Sequence, residues 1–502
     1  MTGTRYWRIA SFVVLFCGMV LASQAQTFNT LFDFDGSNGA SVIAPLIQGI
    51  DGNLYGVTAQ GGIRNGNGTA FRISPDGTLT TIHYFCAQAN CVDGAGPQGP
   101  LVQGPDGSLY GTTAAGGTNP YGGIAFKITT SGKLIVLYNF CTATDCIDGS
   151  DPSALTLGRN GNFYGTTNSG GAYQSGTIFE ITPSGKLTTL YSFCSQSYCS
   201  DGATPSAPLV LASNGNLYGV TTAGGPLNYG VAFELAPTGK VTTLYQFCSE
   251  ITCTDGYTPY SGLIEASDGY LYGTTYYGGT GCSGGCGTIY RLSLSGQYST
   301  VYSFCSANVC PSGLNPIGGV IEGTDGNLYG TTSVGGSIYN NCAGSGFGSP
   351  CGTLYQFTRQ GTLNVLHDFC NVQQGICPDG AFPEASLFQS TNGIFYGGTD
   401  LGGNTGCTGG QACGALYSLS MGLGPFVQAQ INFGKVGQVV NILGNNLTGT
   451  TSVTFNGVAA EFKVMADTYL KAQIPTGATT GTIEVTTSTG TLDSNLPFQV
   501  LR

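Results

Sequence analysis

Eighteen of the nineteen cysteines fall into local pairs. Five pairs share the spacing C-x4-C: Cys86/Cys91, Cys141/Cys146, Cys194/Cys199, Cys248/Cys253 and Cys305/Cys310. A sixth, Cys370/Cys377, is wider, and Cys282/Cys286, Cys342/Cys351 and Cys407/Cys413 complete the set. Zinc would use such thiolates, but no histidine accompanies them, and disulfide staples are the simpler expectation. Each staple closes a short loop, so each stabilises less than the roughly 3 kcal/mol of a 15-residue loop. An Asp-Gly follows most second cysteines, at Asp93, Asp148, Asp201, Asp255 and Asp379. Asp35 holds the equivalent place near the start, and Ser312 replaces the acid once. A ring of carboxylates suits Ca²⁺ or a polyol. The competing reading is an Asp capping a turn before each Gly. Tyr121, Tyr173, Tyr229, Tyr276, Tyr277 and Tyr339 form a third set, fit to stack on sugars or a protein partner, or on one another. Catalysis finds little support. The two histidines lie apart, and no nucleophile elbow, histidine metal cluster or phosphate loop occurs. The charged positions that break the pattern are Arg159, Glu265, Glu322 and Glu384, with Glu265 and Glu322 expected near a central channel.

These residues sit on a repeat. The phrase Leu54-Tyr55-Gly56-Val57-Thr58 recurs with its tyrosine at Tyr110, Tyr164, Tyr218, Tyr272, Tyr329 and Tyr396. A period near 54 residues means a solenoid, a propeller or an array. The third copy reads as four strands: a near Ala154–Gly158, b at Phe163–Thr167, c at Gly176–Thr182 and d at Leu187–Phe193. Asn-Gly and Ser-Gly between the apolar runs are hairpin turns that need positive φ. Four antiparallel strands per repeat make a propeller blade. The last copy stops at strand c, Ala415–Leu419, while Thr27–Phe34 matches strand d. The early strand is therefore expected to complete the seventh blade and close the ring. The d–a and b–c loops then share one face and carry every staple, whereas the a–b and c–d turns are tight and uniform. Ligand binding is expected on the stapled face, because function gathers in variable loops on a rigid scaffold.

Composition agrees with this architecture. Charged residues are only 8%, against about 25% in ordinary domains, and Gly is 83 of 502 residues. Collagen is excluded by the lack of a G-X-Y period, and simple disorder by 41% hydrophobic content. Arg5 and Arg8 precede an apolar run, Ile9–Leu21, and small residues that suit a cut after Ala25: a secretory leader, residues 1–25. That run is too short to span a membrane comfortably. Its removal discards Cys17 and leaves 13 Lys+Arg against 26 Asp+Glu, a balance that argues against nucleic acid or anionic membrane as partner. An even cysteine count suits a secreted or cell-surface protein.

The repeat resembles the GloVer (Gloeobacter/Verrucomicrobia) tandem repeats of bacterial exported proteins, through the Leu109–Gly117 and Gly176–Ile181 patterns, over roughly Thr27 to Leu419. That resemblance implies an exported, often surface-displayed array with no known catalytic activity. After Gly422-Leu423-Gly424-Pro425 the cysteines cease and short alternating strands follow. Gly437–Leu447, Val453–Gly457, Ile474-Pro475 and Phe498–Val500 resemble an IPT/TIG immunoglobulin-like domain, which implies a spacer or adhesion module. The expected organisation is all-β: leader 1–25, seven-bladed propeller 26–421 and immunoglobulin-like sandwich 422–502. Three functions are compatible with it: binding or adhesion to a glycan or surface protein, an enzyme acting on polysaccharide or a small ester, or a structural envelope component. No cofactor is implied beyond the Ca²⁺ reading.

Overall fold

The computed structural model describes residues 26–63, 66–281, 285–305, 310–336, 351–370, 377–403 and 413–501. The expected leader with Cys17, Tyr339, and Cys282, Cys342 and Cys407 lie outside the described residues.

The chain is all-β, with three single-turn 3₁₀ segments as the helices among the described residues. In the repeat region, seven four-stranded antiparallel sheets follow one another. Sheet three shows the pattern: strand a is Ser150–Leu157, b Phe163–Ser169, c Thr177–Ile181 and d Leu187–Ser192. Its strand a is longer than the a strands elsewhere, which regularise over only two residues, as at Ile47–Gln48 and Val102–Gln103. Sheet three has Ala154 where Pro45, Pro100 and Pro208 stand in sheets one, two and four, and proline has no N–H for a ladder. Strand b is buried on both faces, strand c on all but one position, and strand d is half exposed. Burial thus falls from b to d, as expected if each sheet is sandwiched between neighbours and shows only its d edge to solvent.

Two kinds of contact join consecutive sheets. Apolar clusters bridge them: Tyr55, Val57 and Phe85 of sheet one pack with Leu101, Leu109 and Phe126 of sheet two, and the same arrangement links each later pair. The series returns to its start, since Tyr396 and Leu416 of sheet seven share a cluster with Val42, Leu46, Leu54 and Phe71 of sheet one. The repeating tyrosine is therefore core, as its regularity predicts, and in every sheet its hydroxyl is held by the a–b turn, donating to an Asp in four (Tyr55 on Asp51, 2.8 Å) and accepting from Asn160, Asn214 or Asn392 in three. The N-terminal strand Thr27–Asp33 pairs antiparallel with Ala415–Ser420 and becomes strand d of sheet seven. Phe28 stacks on His367 of sheet six at 3.6 Å and on Tyr417 at 5.3 Å.

Past residue 422, two four-stranded sheets share a core of Val427, Ile442, Leu447, Phe455, Leu470, Ile483 and Phe498. The short alternating strands expected there form. This unit sits against the a–b turns: Thr468 donates to the Ile50 carbonyl (2.8 Å), Asn445 to Thr391 (2.8 Å) and Gln430 to the Gly104 carbonyl (3.1 Å), while Arg159 reaches Gln499.

Candidate functional site: a cavity lined by seven non-repeating side chains

Each d–a loop ends in the same local device. The residue before the loop's Pro (before Val42 in sheet one) has left-handed backbone: Ser41, Gly96, Asp151, Thr204, Thr258, Asn315 and Phe382, with φ between 55° and 66°. Six are not glycine, two are β-branched and one is Phe, so the conformation is imposed at a cost. What imposes it is a pair of hydrogen bonds. Each N–H donates to a carbonyl in the b–c loop of the preceding sheet: Ser41 to Cys413, Gly96 to Asn67, Asp151 to Gly122, Thr204 to Ser175, Thr258 to Tyr229, Asn315 to Cys286 and Phe382 to Cys351, all 2.8–3.0 Å. In six sheets the same residue's carbonyl accepts from its own b–c loop, as Phe382 does from Asp400 N–H (3.0 Å). In sheet three the residue lies beside that loop's Asn168, which bonds the Asp151 carboxylate at 2.9 Å. The accepting residue always precedes a glycine with no room for a side chain: a Cβ on Gly176 would lie 2.3 Å from the Thr167 oxygen and 2.6 Å from Pro205.

The residue two positions after this kink enters a central cavity of about 440 Å³ lined by segments of all seven sheets. In sheet order these residues are Ile43, Gln98, Ser153, Ser206, Tyr260, Ile317 and Glu384. The kink and the following Pro repeat; the side chain that faces the cavity does not. Glu384 stands between Ile317 and Ile43 of the adjacent sheets, and is the one carboxyl among the described lining residues, which include no Lys, Arg or His. Burial, and then the charge of Asp400, pushes its carboxyl up to about 7. Burial raises Asp400 as well, although Ser41 Oγ donates to it at 2.5 Å. Asp151 is raised by burial against the hydrogen bond from Asn168. Two cavity residues keep a buried oxygen with no hydrogen-bond partner among the described residues, Ser206 Oγ and Asn168 Oδ1.

The expected site residues separate into those near this cavity and those away from it. Tyr229, Tyr276 and Tyr277 join one aromatic chain with Tyr257 and Tyr260: Tyr229–Tyr257 at 4.7 Å, Tyr257–Tyr277 at 5.2 Å, Tyr276–Tyr277 at 4.4 Å and Tyr260–Tyr276 at 5.4 Å. Tyr276 reaches far enough that Glu384 adds to the raising of its phenol, after burial and Tyr277. Tyr121 and Tyr173 stand apart, 83% and 53% exposed.

The acidic set does not converge. None of Asp35, Asp93, Asp148, Asp201, Asp255 and Asp379 lines the cavity. Each is occupied inside its own loop. Asp93 accepts from the Ala87 and Gln88 N–H groups, and Asp201 from Ser195 N–H (2.9 Å) and Tyr191 Oη (2.6 Å). Asp148 and Asp255 take the hydroxyls of Tyr138 (2.9 Å) and Tyr245 (2.6 Å), and Asp379 takes His367 Nε2 (2.8 Å) and Cys370 N–H. Asp35 makes an Asx turn with Ser37 and Asn38. For Asp148, Asp201, Asp255 and Asp379 one partner lies on strand d (Tyr138, Tyr191, Tyr245 and His367), and the rest lie in the loop. Glu265 and Glu322 likewise end at the turns rather than in the cavity, gripping Ser213 and Ser267 of the preceding sheets at 2.5–2.7 Å.

The six C-x4-C and C-x6-C pairs are disulfides: Cys86–Cys91, Cys141–Cys146, Cys194–Cys199, Cys248–Cys253, Cys305–Cys310 and Cys370–Cys377. No cysteine lines the cavity, whose lining begins where the stapled d–a loops end. Cys91, Cys146, Cys199 and Cys253 are only half-buried and lie in the d–a loops, away from the lining. Each is left-handed, with φ of 53°, 49°, 47° and 47°. Cys91, Cys146 and Cys199 each end a 3₁₀ turn. Their task is to shape the loop. The carbonyls of Cys91, Cys146, Cys199 and Cys253 accept from the N–H of Gly94, Gly149, Gly202 and Gly256 at 2.8–3.0 Å, a tight turn that contains the Asp. Cys286, Cys351 and Cys413 are disulfide-bonded too, and theirs are the carbonyls that hold the kinks of sheets six, seven and one. The sulfurs of Cys286, Cys305 and Cys310 gather within 4.8 Å, as do those of Cys351, Cys370 and Cys377, so loop staples of two kinds pack side by side. The kink residues and most of the variable positions after them were not singled out in the sequence; Glu384 was, as a charge that breaks the repeat. The signal was present in the X-Pro-X triplets that follow the Asp-Gly of five copies and the Ser312-Gly313 of another.

Fold and site together define a disulfide-bonded, all-β repeat protein of propeller-like build with a shared central cavity. The chain belongs to the Gloeobacter/Verrucomicrobia repeat family, whose model matches residues 18–147, 93–286 and 250–463. No curated protein matches it. Similar solved structures include a putative gluconolactonase (10% identity, 79% of this chain and 92% of that chain, TM-score 0.36). Others are a putative oxidoreductase (glucose dehydrogenase) of Thermus thermophilus (17%, 62% and 97%, 0.38) and a luciferin-regenerating enzyme (10%, 79% and 95%, 0.38). No helix among the described residues is long and apolar enough to cross a membrane.

Proposed function

We propose that this chain is an exported glycan-binding or adhesion module: a closed seven-bladed propeller, residues 26–421, carried on an IPT/TIG-like sandwich, 422–502, after a leader cut behind Ala25. Closure is supported by the sheet-seven-to-sheet-one cluster, by Ser41 N–H on the Cys413 carbonyl, and by the N-terminal strand in sheet seven. Export is supported by the density of disulfides, which persist in oxidising compartments.

The observation that carries the binding reading is the ring of differing side chains held around the cavity two residues after a structurally repeated, strained one. Packing alone favours the same residue in every copy, as the buried tyrosine shows. A recognition site needs asymmetry, and strain imposed on non-glycine backbone marks sites where geometry matters. The cavity's mixture of hydroxyls, two amides (Gln98 and Asn168), two aromatic rings (Tyr260 and Phe388) and apolar walls suits a sugar, whose faces stack while its hydroxyls hydrogen-bond. The six capping aspartates contribute by fixing the loops; no cation is needed for the reading.

A glycan array probed with the 26–502 chain tests it, followed by titration calorimetry on hits. Saturable binding of a saccharide is expected, and a blank array overturns the reading. An enzymatic second reading rests on Glu384 alone, a carboxyl that holds its proton to about pH 7 and so could act as a general acid. Release of reducing sugar or acid from a bound substrate, abolished in Glu384→Gln, would favour it.

A further inference from the structure

The cavity carries one carboxyl and no cation, and its surroundings make that unusual. Glu384 has an isoleucine on either side within the ring, Ile317 and Ile43. The charged group coupled to it is another carboxylate, Asp400, which is bonded by the neutral hydroxyl of Ser41. A third carboxyl, Asp151, sits behind Asn168 of the lining. Residues 26–502 include 13 Lys and Arg, yet none of the described ones lines the cavity. Cations are placed elsewhere with care: Lys127 bridges Asp106, Arg359 bridges Glu322, and Arg159 is committed to the Ser213 carbonyl at 2.8 Å and to Gln499. Across Ile317 stands Tyr260, with Tyr276 set edge-on to it at 5.4 Å.

A largely buried carboxylate without a counter-charge is costly, and the cost is relieved when a cation is brought to it. Aromatic faces nearby reinforce the same preference, since an ammonium is drawn to them once desolvated. An anionic ligand would meet Glu384, with the carboxyls of Asp400 and Asp151 behind the lining. A neutral sugar would fill the cavity but leave the charge uncompensated.

We infer that the cavity selects saccharides bearing a free amine, with Glu384 as the specificity-determining residue, pairing with the ammonium while Tyr260, backed by Tyr276, lines its flank. The inference rests on the glycan-binding reading and narrows its ligand class to de-N-acetylated hexosamines. In this arrangement Gln98, Ser153 and Ser206 on the opposite arc are left for the ligand's hydroxyls, and Ser206 Oγ already lacks a partner among the described residues.

The test compares the β-1,4-linked glucosamine disaccharide with its N-acetylated counterpart, which has the same backbone without the charge. Both are titrated calorimetrically at one pH near 7 into the 26–502 chain and into Glu384→Gln and Glu384→Asp. The expected result is at least a ten-fold preference for the amine form in the parent, near parity in Glu384→Gln, and partial retention in Glu384→Asp, which keeps the charge. Should Glu384→Gln fail to fold, the parent and Glu384→Asp still decide. Equal or tighter binding of the N-acetylated sugar, or a preference that survives in Glu384→Gln, overturns the inference and leaves the glycan reading standing. Failure of both sugars to bind overturns the inference, and a blank glycan array then overturns the broader reading with it.

Discussion

Replacing Glu384 with Gln should stabilise the protein at pH 8 and change little at pH 4.5. The carboxyl is pushed from its ordinary 4.5 to about 7 by burial and by Asp400. Its folded value lies above its unfolded value, so the folded state resists ionisation. Below about pH 4.5 both states hold the proton and no penalty exists. Between 4.5 and 7 the unfolded chain ionises first, and stability falls as pH rises. Above 7 the full difference is felt: 2.5 pH units at about 1.4 kcal/mol each give a penalty of order 3 kcal/mol. Gln has the same shape and no charge, so it removes that penalty and also relieves Asp400, which burial raises in the same direction. Differential scanning fluorimetry of parent and Glu384→Gln at fixed scan rate, at pH 4.5 and pH 8, reads the effect. The variant should melt a few degrees higher at pH 8 and within a degree of the parent at pH 4.5. A difference of equal size at both values, or a lower melting point at pH 8, would refute the claim that an uncompensated carboxyl faces the cavity.

Other consequences follow from the same geometry. Starting the chain at Gly36 removes the strand that pairs with Ala415–Ser420 and strips Phe28 from His367 and Tyr417, so the folded monomer should be lost to aggregation, as size-exclusion chromatography would show. Removing the Cys86–Cys91 staple as a double Ala variant should cost about 2 kcal/mol by the loop-entropy model, read by denaturant titration, because its sequence separation is only 5. Asp201→Asn should cost on the order of 1–3 kcal/mol at pH 7, since Asp201 is a buried acceptor of Ser195 N–H and two hydroxyls. Burial raises the Asp201 carboxyl but the hydrogen bonds from Tyr191 and Ser195 outweigh it and hold it below the usual range, so this stabilising effect is present above the unfolded value and fades as pH falls through the folded one.

Much of this architecture is legible in the amino-acid order because its signals are local. Asn-Gly and Asp-Gly turns mark the hairpins, Cys spacing marks the staples, and the Thr27–Phe34 pattern announces the strand that sheet seven lacks. The burial of Tyr55 and its successors follows from repetition alone. The site was harder to read, for two physical reasons. Where Asp93 or Asp201 points depends on which N–H groups its own loop presents, and on a strand-d side chain ten residues earlier. Sequence suggested a ring at the channel mouth; Asp93 and Asp201 are instead held by N–H groups and hydroxyls close by in the chain and are not in the cavity lining. The ring that does face the cavity is built from positions that vary between copies, so a search for repeated residues passes over Gln98 and Tyr260 while catching their neighbours, and Glu384 shows only as a charge that breaks the pattern. The left-handed residues before each Pro were equally silent, since Thr204, Thr258 and Phe382 are poor candidates for positive φ until the hydrogen bonds from adjoining sheets are in view.

The central claim is that ligand is held inside the cavity by its non-repeating ring, not by the exposed aromatic residues of the loops around it. Calorimetric titration of an array-identified saccharide into Tyr260→Ala and Tyr121→Ala tests this directly, because one tyrosine lines the cavity and the other stands 83% exposed on a loop. Affinity should fall at least ten-fold in Tyr260→Ala and stay within two-fold of the parent in Tyr121→Ala. Loss of binding in Tyr121→Ala with Tyr260→Ala unaffected would contradict the account.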